Sequence, residues 1–258
     1  MILDDIIFNK RQEVTSLKLN YSGKDLRKLV KDLPKPRHFL KAFKKGGFSL
    51  IAEIKKASPS AGVIREDFDP YGLAKAYEES GASAISVLTD DKFFQGRLEH
   101  LKAAKECTTI PVLRKDFIID ESQVYESRIA GADALLLIAR MLEEPELAEL
   151  LALTEELGMQ ALVEVHNAEE VEKVLKTEAR LIGINNRDLD TFKTDLQTTV
   201  DLVRKFPELK DRLLISESGI EARKDIEILR KAGTDGVLIG ETLMRSRNIP
   251  EKIKELMG

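Results

Sequence analysis

The chain has 258 residues, with 45 Asp plus Glu against 41 Lys plus Arg, a formal net charge of -4, and 43% hydrophobic residues. A chain of this length buries roughly 70–75% of its unfolded surface, which excludes a disulfide-stapled mini-scaffold. The single cysteine, Cys107, excludes an intrachain disulfide, a cysteine zinc cluster and a CxxC redox pair. Balanced charge argues against an extended nucleic-acid footprint, and no uncharged apolar stretch approaches the roughly 20 residues of a membrane span. The expectation is a cytoplasmic protein with neither nucleic acid nor membrane as partner.

The N-terminal segment MILDDIIFNKRQEV is acidic and then mixed, without the apolar core of a secretory signal. Helices are expected at 3–19 and 26–30, closing the bottom or framing the top of whatever follows. From residue 49 onward, eight short runs rich in Val, Ile and Leu recur, at 49–54, 84–88, 110–113, 134–138, 161–165, 181–184, 213–215 and 236–239. They are mostly continuous rather than alternating, as parallel strands covered on both faces are. Between them lie amphipathic helical stretches at 70–79, 121–129, 145–157, 168–175, 196–205 and 222–231. ESGASAISVL, IAGADALLLI and KAGTDGVLIG repeat one arrangement, a helix ended by glycine and a strand begun two or three residues later. The pattern predicts an α/β fold, a (β/α)8 TIM barrel over residues 1–258, with residues 1–47 a helical extension preceding the first strand. A doubly wound sheet is the competing fold, but its glycine-rich first turn is missing.

In such a barrel the site forms where strands end, so polar residues late in the apolar runs are the informative ones. In IAEIKKASPSAG, the period of two puts Glu53 and Lys55 on one face, as an ion pair for stability or, preferably, as a site pair. Ser58 and Ser60 either bind ligand or cap the turn. In IPVLRKDFIID, Lys115 and Phe117 alternate into the cavity, while Arg114 and Asp116 point away and read as structural. Partial burial is expected to lower the pKa of Lys115 toward a useful range. In QALVEVHN, Glu164 stands among apolar neighbours that would raise its pKa for acid/base work. His166 reads as a satisfied group behind or outside the site. His38, His100 and His166 are the only histidines, without HxH or HExxH spacing, so no metal is expected.

In IGINNRDLDTF, Asn185 and Arg187 share a face, an amide for a hydroxyl or carboxylate and a guanidinium to orient an anion or brace Glu53. Asn186 and Asp188 fall on the other face. The last two runs end in ISESGIEAR and GVLIGETLM, each a strand, a glycine and a helix-forming run. Ser218, Gly219, Gly240 and the backbone of Glu241 thus predict a phosphate cup, the Glu241 carboxylate itself being repulsive.

Together these segments resemble the indole-3-glycerol-phosphate synthase family of tryptophan biosynthesis. IAEIKKASPSAG, LTDDKFFQG, VLRKDFIID, GADALLLIARML, LVEVHN, IGINNRDLDTF, SESGI and GVLIGETLM follow that family's motifs in order, over essentially the full chain. The resemblance implies a lyase that converts 1-(2-carboxyphenylamino)-1-deoxyribulose 5-phosphate to indole-3-glycerol phosphate, carbon dioxide and water without cofactor. By it, Lys115 matches the general acid of ring closure, Glu164 the group moving protons in dehydration, and Glu53 and Lys55 a pair whose lysine meets the substrate carboxylate. Asn185 matches a substrate-orienting amide and Arg187 a charge-organising guanidinium. Phe94, Phe117, Leu136 and Leu189 match the apolar wall for the aryl ring, and Ser58 a hydroxyl near the substrate carboxylate. Ala61 departs from a lysine carried by many relatives, and Glu241 from a small hydroxyl residue. A small phosphorylated substrate is the expected partner, and the protein is expected to be a monomer, with a weak homodimer as the alternative. A phosphosugar isomerase and a catalytically silent phosphate-binding protein are the competing readings.

Overall fold

A computed structural model describes residues 2–43 and 47–258. Met1 and residues 44–46, parts of the expected extension, lie outside the described residues. Eight parallel strands close into a barrel: β1 (Ser49–Ile54), β2 (Ala84–Leu88), β3 (Val112–Lys115), β4 (Ala134–Ile138), β5 (Gln160–Val165), β6 (Leu181–Asn185), β7 (Leu213–Glu217) and β8 (Gly236–Ile239). They neighbour one another in chain order, and β1 closes the ring by pairing with both β2 and β8. Around them run α3 (Pro70–Glu79), α4 (Leu98–Cys107), α5 (Glu121–Ile129), α6 (Glu144–Glu156), α7 (Ala168–Leu175), α8 (Gln197–Lys205), α9 (Arg223–Ala232) and α10 (Ile249–Met257). This is the (β/α)8 TIM barrel that the repeated runs predict. Among the described residues, no helix is long and apolar enough to cross a membrane.

Three of the strands outlast the apolar runs at their C-terminal ends. The third was expected at 110–113 but lies at Val112–Lys115: Pro111 has no N–H to give the ladder, and Arg114 and Lys115 find carboxylate partners that let them continue it. Strand β6 runs on to Asn185, whose Oδ1 accepts the Arg187 N–H at 3.0 Å, and β7 to Glu217, which pairs with Lys115.

The three repeated segments have a common job. Gly81, Gly131 and Gly233 take positive φ (88°, 91° and 103°) where a helix must turn back toward the sheet. Two residues later, Asp133 and Asp235 accept backbone N–H groups from the preceding strand, Val112 at 2.9 Å and Leu214 at 2.8 Å. These side chains pin adjacent strands at the bottom of the barrel.

Burial splits the core in two. One layer, including Ile54, Tyr77, Leu101, Leu135 and Ile182, lies between strands and helices. The other fills the lumen, where Ile51, Leu113, Leu162 and Ile215 from the odd strands meet Ala84, Ala134, Leu181 and Leu238 from the even ones. Tyr77, fully buried on α3, donates its hydroxyl to the carbonyl of Glu53 at 3.1 Å and so ties the outer layer to the end of β1.

Of the two placements open to the N-terminal helices, the first helix takes the top, and a later segment closes the bottom. Phe39 and Phe43, with ring centroids 5.6 Å apart, pack under the lumen, and the Phe39 N–H donates to Gln160 Oε1 at the start of β5. Helix α1 (Ile2–Asn20) instead crosses the top, placing Leu3 and Ile6 in the luminal cluster, while α2 (Gly23–Lys31) leans on α5. Lys10 anchors α1. Its ammonium is buried 2.9 Å from both Asp90 and Asp116, in the loops after β2 and β3, and Asp116 also binds Arg114 at 3.0 Å. Burial works against the charge of Lys10, but the two aspartates outweigh it and raise its pKa.

Removing one partner of a buried ionic network leaves uncompensated charge behind, at a cost of about 3–5 kcal/mol. Lys10→Met is therefore expected to lower stability by about that amount, because Asp90 loses its cation while Asp116 keeps Arg114. Lys18→Met, at an exposed pair with Asp120, is expected to cost under about 1 kcal/mol. Urea unfolding of the two variants beside the parent checks the contrast; equal losses would contradict it.

Candidate active site

At the C-terminal ends of the strands opens a cavity of about 650 Å³. Every candidate named from the sequence lines it: Glu53 on β1, with Lys55 and Ser58 after it; Phe94; Lys115 and Phe117; Leu136; Glu164; Asn185, Arg187 and Leu189; Ser218 and Gly219; Gly240 and Glu241.

Its floor is a single charged layer. Two residues above Ile51, Leu113, Leu162 and Ile215 on the same strands stand Glu53, Lys115, Glu164 and Glu217, and the period of two turns all four inward. Lys115 Nζ bonds Glu164 Oε2 at 2.5 Å and Glu217 Oε2 at 2.7 Å. Lys55 Nζ pairs with Glu53 Oε1 at 2.9 Å. The even strands make room for them: a Cβ on Gly183 would strike the Glu217 carboxylate, and one on Gly240 would strike that of Glu53.

Burial and proximity decide the protonation states. Burial disfavours a charged Lys115, but the Glu164 and Glu217 carboxylates outweigh it, and its pKa is raised rather than lowered as expected. Glu164 also departs from expectation. Burial pushes it up, yet Lys115 and His166 pull it well below the usual carboxylate range. The carboxyl that burial does raise is Glu217, to about 8, where the neighbouring Glu164 charge adds to burial and Lys115 only partly opposes it. One lysine cannot hold two carboxylates ionised equally, and Glu217 keeps the proton.

The residues expected to form a phosphate cup gather at the other side of the mouth. Ser218 and Gly219 take consecutive left-handed conformations (φ 68° and 77°), strained for serine. Buried Asn186 holds them there, its Nδ2 donating to the carbonyls of Glu217 at 3.0 Å and Ser218 at 3.1 Å. Arg187 does not brace Glu53. It reaches Ser60 Oγ at 3.0 Å and Glu241 Oε2 at 3.4 Å, joining the loops after β1, β6 and β8, while its N–H donates to Asn185 Oδ1 at 3.0 Å. Arg245 takes the other oxygen of Glu241 at 2.9 Å, so this carboxylate is neutralised within the mouth. Arg245 and Lys252 also line the cavity. Ser58 Oγ accepts the Ala61 N–H at 3.2 Å, which makes it a turn cap with its side chain at the cavity wall.

The opposite wall is apolar. Phe94 and Phe117 face one another with centroids 5.9 Å apart, beside Leu136, Leu189 and, from α1, Ile2, Leu3 and Ile6. Sequence reasoning missed the α1 residues, Arg245, Lys252 and Glu217. A signal existed for Glu217, since it lies two residues beyond inward-facing Ile215, and for α1, since framing the top was one of the two placements expected of its helix; none existed for Arg245 and Lys252. Among the described residues there is no group of three or more His, Cys, Asp or Glu that could hold a metal ion.

A family model for indole-3-glycerol phosphate synthase matches residues 3–256. The chain is 49% identical to the indole-3-glycerol phosphate synthase of Desulforamulus reducens, covering all of this chain and 97% of that one. It is 48% identical to that of Acetivibrio thermocellus, covering 99% and 98%, and 49% identical to that of Prochlorococcus marinus strain MIT 9301, covering 99% and 88%. Among solved structures, N-acetylmannosamine-6-phosphate 2-epimerase from Clostridium perfringens aligns with a TM-score of 0.63 at 14% identity, over 87% of this chain and 98% of that one. At that identity the likeness concerns the fold alone.

Glu217 binds its proton more tightly folded than unfolded, so its contribution to stability is complete below about pH 4.5 and is lost as pH rises through about 8. Glu217→Gln, which cannot ionise, is expected to lose less stability across that window than the parent. Unfolding midpoints in urea at the two ends of the window test this, and equal losses in both proteins would refute the raised pKa.

Proposed function

This chain belongs to the indole-3-glycerol phosphate synthase family, and we propose how its cavity divides the work of that reaction. The enzyme converts 1-(2-carboxyphenylamino)-1-deoxyribulose 5-phosphate to indole-3-glycerol phosphate, carbon dioxide and water. The observation that carries the division of labour is Lys115, protonated between Glu164 and Glu217 and two residues from the Phe117 ring.

The substrate is flexible, and its aryl carbon must meet the ribulose carbonyl. Phosphate at the turns holding Ser218, Gly219, Gly240 and Glu241, with Arg245 and Lys252 alongside, fixes one end; the aryl ring between Phe94, Phe117, Leu136 and Leu189 fixes the other. Lys55 and Ser58 meet the aryl carboxylate. The ring carbon bearing that carboxylate attacks the carbonyl carbon, and Lys115 gives a proton to the oxygen on which charge develops. Carbon dioxide then leaves, its bonding pair returning to the ring and restoring aromaticity. The new hydroxyl departs as water with a proton from an acid, pushed by the anilino nitrogen. A base takes the adjacent C–H proton to complete the indole.

Glu164, held ionised, suits the base role, and Glu53 sits close enough to Lys115 to act on its charge. Glu217, with a pKa of about 8, exchanges a proton near neutrality and is placed 2.7 Å away to recharge Lys115. Asn185 orients a substrate oxygen, and Arg187 links the loops over the phosphate end. The size and lining of the cavity suit a small phosphorylated substrate, and a monomer acting in the cytoplasm is the reading proposed with it.

Removing the general acid is expected to lower turnover about 10²–10⁴-fold, so Lys115→Ala should lose product formation while keeping substrate affinity. Fluorescence reads the indole product directly, because the chain has no tryptophan. Undiminished turnover in the variant would sink the role of Lys115. Conversion of a phosphosugar without release of carbon dioxide would instead favour an isomerase.

A further inference from the structure

His166 is a buried titratable group that this division of labour leaves unused. It follows β5 directly and its side chain is 7% exposed. Its two ring nitrogens face two carboxylates: Nδ1 hydrogen-bonds Glu170 Oε2 at 3.0 Å, and Nε2 stands 3.2 Å from Glu164 Oε1. Glu170 is a firm mount. The same Oε2 accepts the His166 N–H at 2.7 Å, Oε1 accepts Asn167 Nδ2 at 2.8 Å, and the Glu170 N–H donates to Asn167 Oδ1 at 3.0 Å. This is the capped first turn of α7, so the imidazole is held from the side away from the substrate.

The contact with Glu164 is a close ion pair without the alignment of a hydrogen bond, so it acts by charge more than by direction. Glu164 therefore carries a cation on each oxygen, His166 at Oε1 and Lys115 at Oε2. Only an imidazolium combines a donor for the mount at Nδ1 with a positive charge beside the catalytic carboxylate at Nε2.

We propose that His166 is a positioning residue for the reaction assigned above: mounted on Glu170, its imidazolium holds Oε1 of Glu164, leaving Oε2 to trade protons with Lys115 and substrate. The charged groups facing this pair are Glu164 on β5 and Glu170 on α7. Behind them, Lys115 on β3 and Glu217 on β7 act on Glu164, and Arg140, after β4, acts on Glu170. Burial disfavours the charge on His166, but Glu164 and Glu170 prevail and raise its pKa to about 9. The imidazolium thus persists at neutral pH and is lost in mild alkali. Above that point Glu164 loses the cation at Oε1 and competes harder for the proton of Lys115.

The test combines the pH profile of kcat with an NMR titration of the histidine rings, of which the chain has only 3. In the parent, kcat is expected to fall as the His166 ring deprotonates near pH 9. Glu170→Gln removes the charge behind the ring and should move both the NMR titration and the fall in kcat to lower pH together. His166→Gln should delete that step from the profile and lower kcat about tenfold with little change in KM, the lower end of what losing an orienting outer-shell partner costs at metal sites. A profile unmoved by both substitutions, or a uniform loss of kcat with unchanged shape, overturns the proposal. Absence of indole product from the parent overturns the assigned reaction first, and this role with it; a His166 titration near neutrality in a parent that turns over overturns the role alone.

Discussion

Three carboxylates and one ammonium occupy a single layer of a closed barrel, and their mutual electrostatics constrain everything around them. Each ionised carboxylate taken out of water costs several kcal/mol unless paired. Lys115 can satisfy one of its two neighbours fully, so the layer is solved by distribution: Lys55 serves Glu53, Lys115 and His166 serve Glu164, and Glu217 keeps a proton. Space follows charge. Gly183 and Gly240 vacate the even-strand positions into which Glu217 and Glu53 lean, and below the layer the lumen returns to Ile, Leu and Ala. An acid and a base side by side at neutral pH are thereby a property of the resting protein, present before any substrate arrives.

Much of this was legible because a strand has a strict period. Once Glu53 and Lys55, Lys115 and Phe117, and Asn185 and Arg187 are recognised as late residues on inward faces, the barrel brings them to one mouth, and the structure does so. Glu217 obeys the same rule and was overlooked beside the hydroxyl of Ser218 and the glycine after it. What no period reveals is which partner a charged side chain finds across the lumen. Burial alone predicts a lowered Lys115 and a raised Glu164; both signs reverse because the two meet each other 49 residues apart in the chain. Of the two roles open to Arg187, orienting an anion or bracing Glu53, the second is not taken: it meets Glu241 instead, a choice made by loop geometry.

The N-terminal helix was the least legible part. Its outer face is mixed, with Phe8 and Leu19 exposed, so periodicity does not distinguish a cap below the barrel from a roof above it. Lys10 decides the matter, since its ammonium has no tolerable burial except between Asp90 and Asp116 at the top. That choice lays Ile2, Leu3 and Ile6 against the aromatic side of the cavity, and a structural ion network thereby completes a hydrophobic wall.

The same anchor bears on the order of assembly during synthesis. Helix α1 precedes every strand of the barrel in the chain and so is made before them, yet its lysine cannot be desolvated until both aspartates are in place, and Asp116 follows β3. Domains assemble as the chain emerges, and non-local contacts wait for their partners. A helix made before the strands is therefore seated only after the third of them has formed, so the roof is laid once the walls beneath it stand. The nascent segment meanwhile stays hydrated and charged, which keeps its apolar stripe from settling prematurely on a half-built sheet.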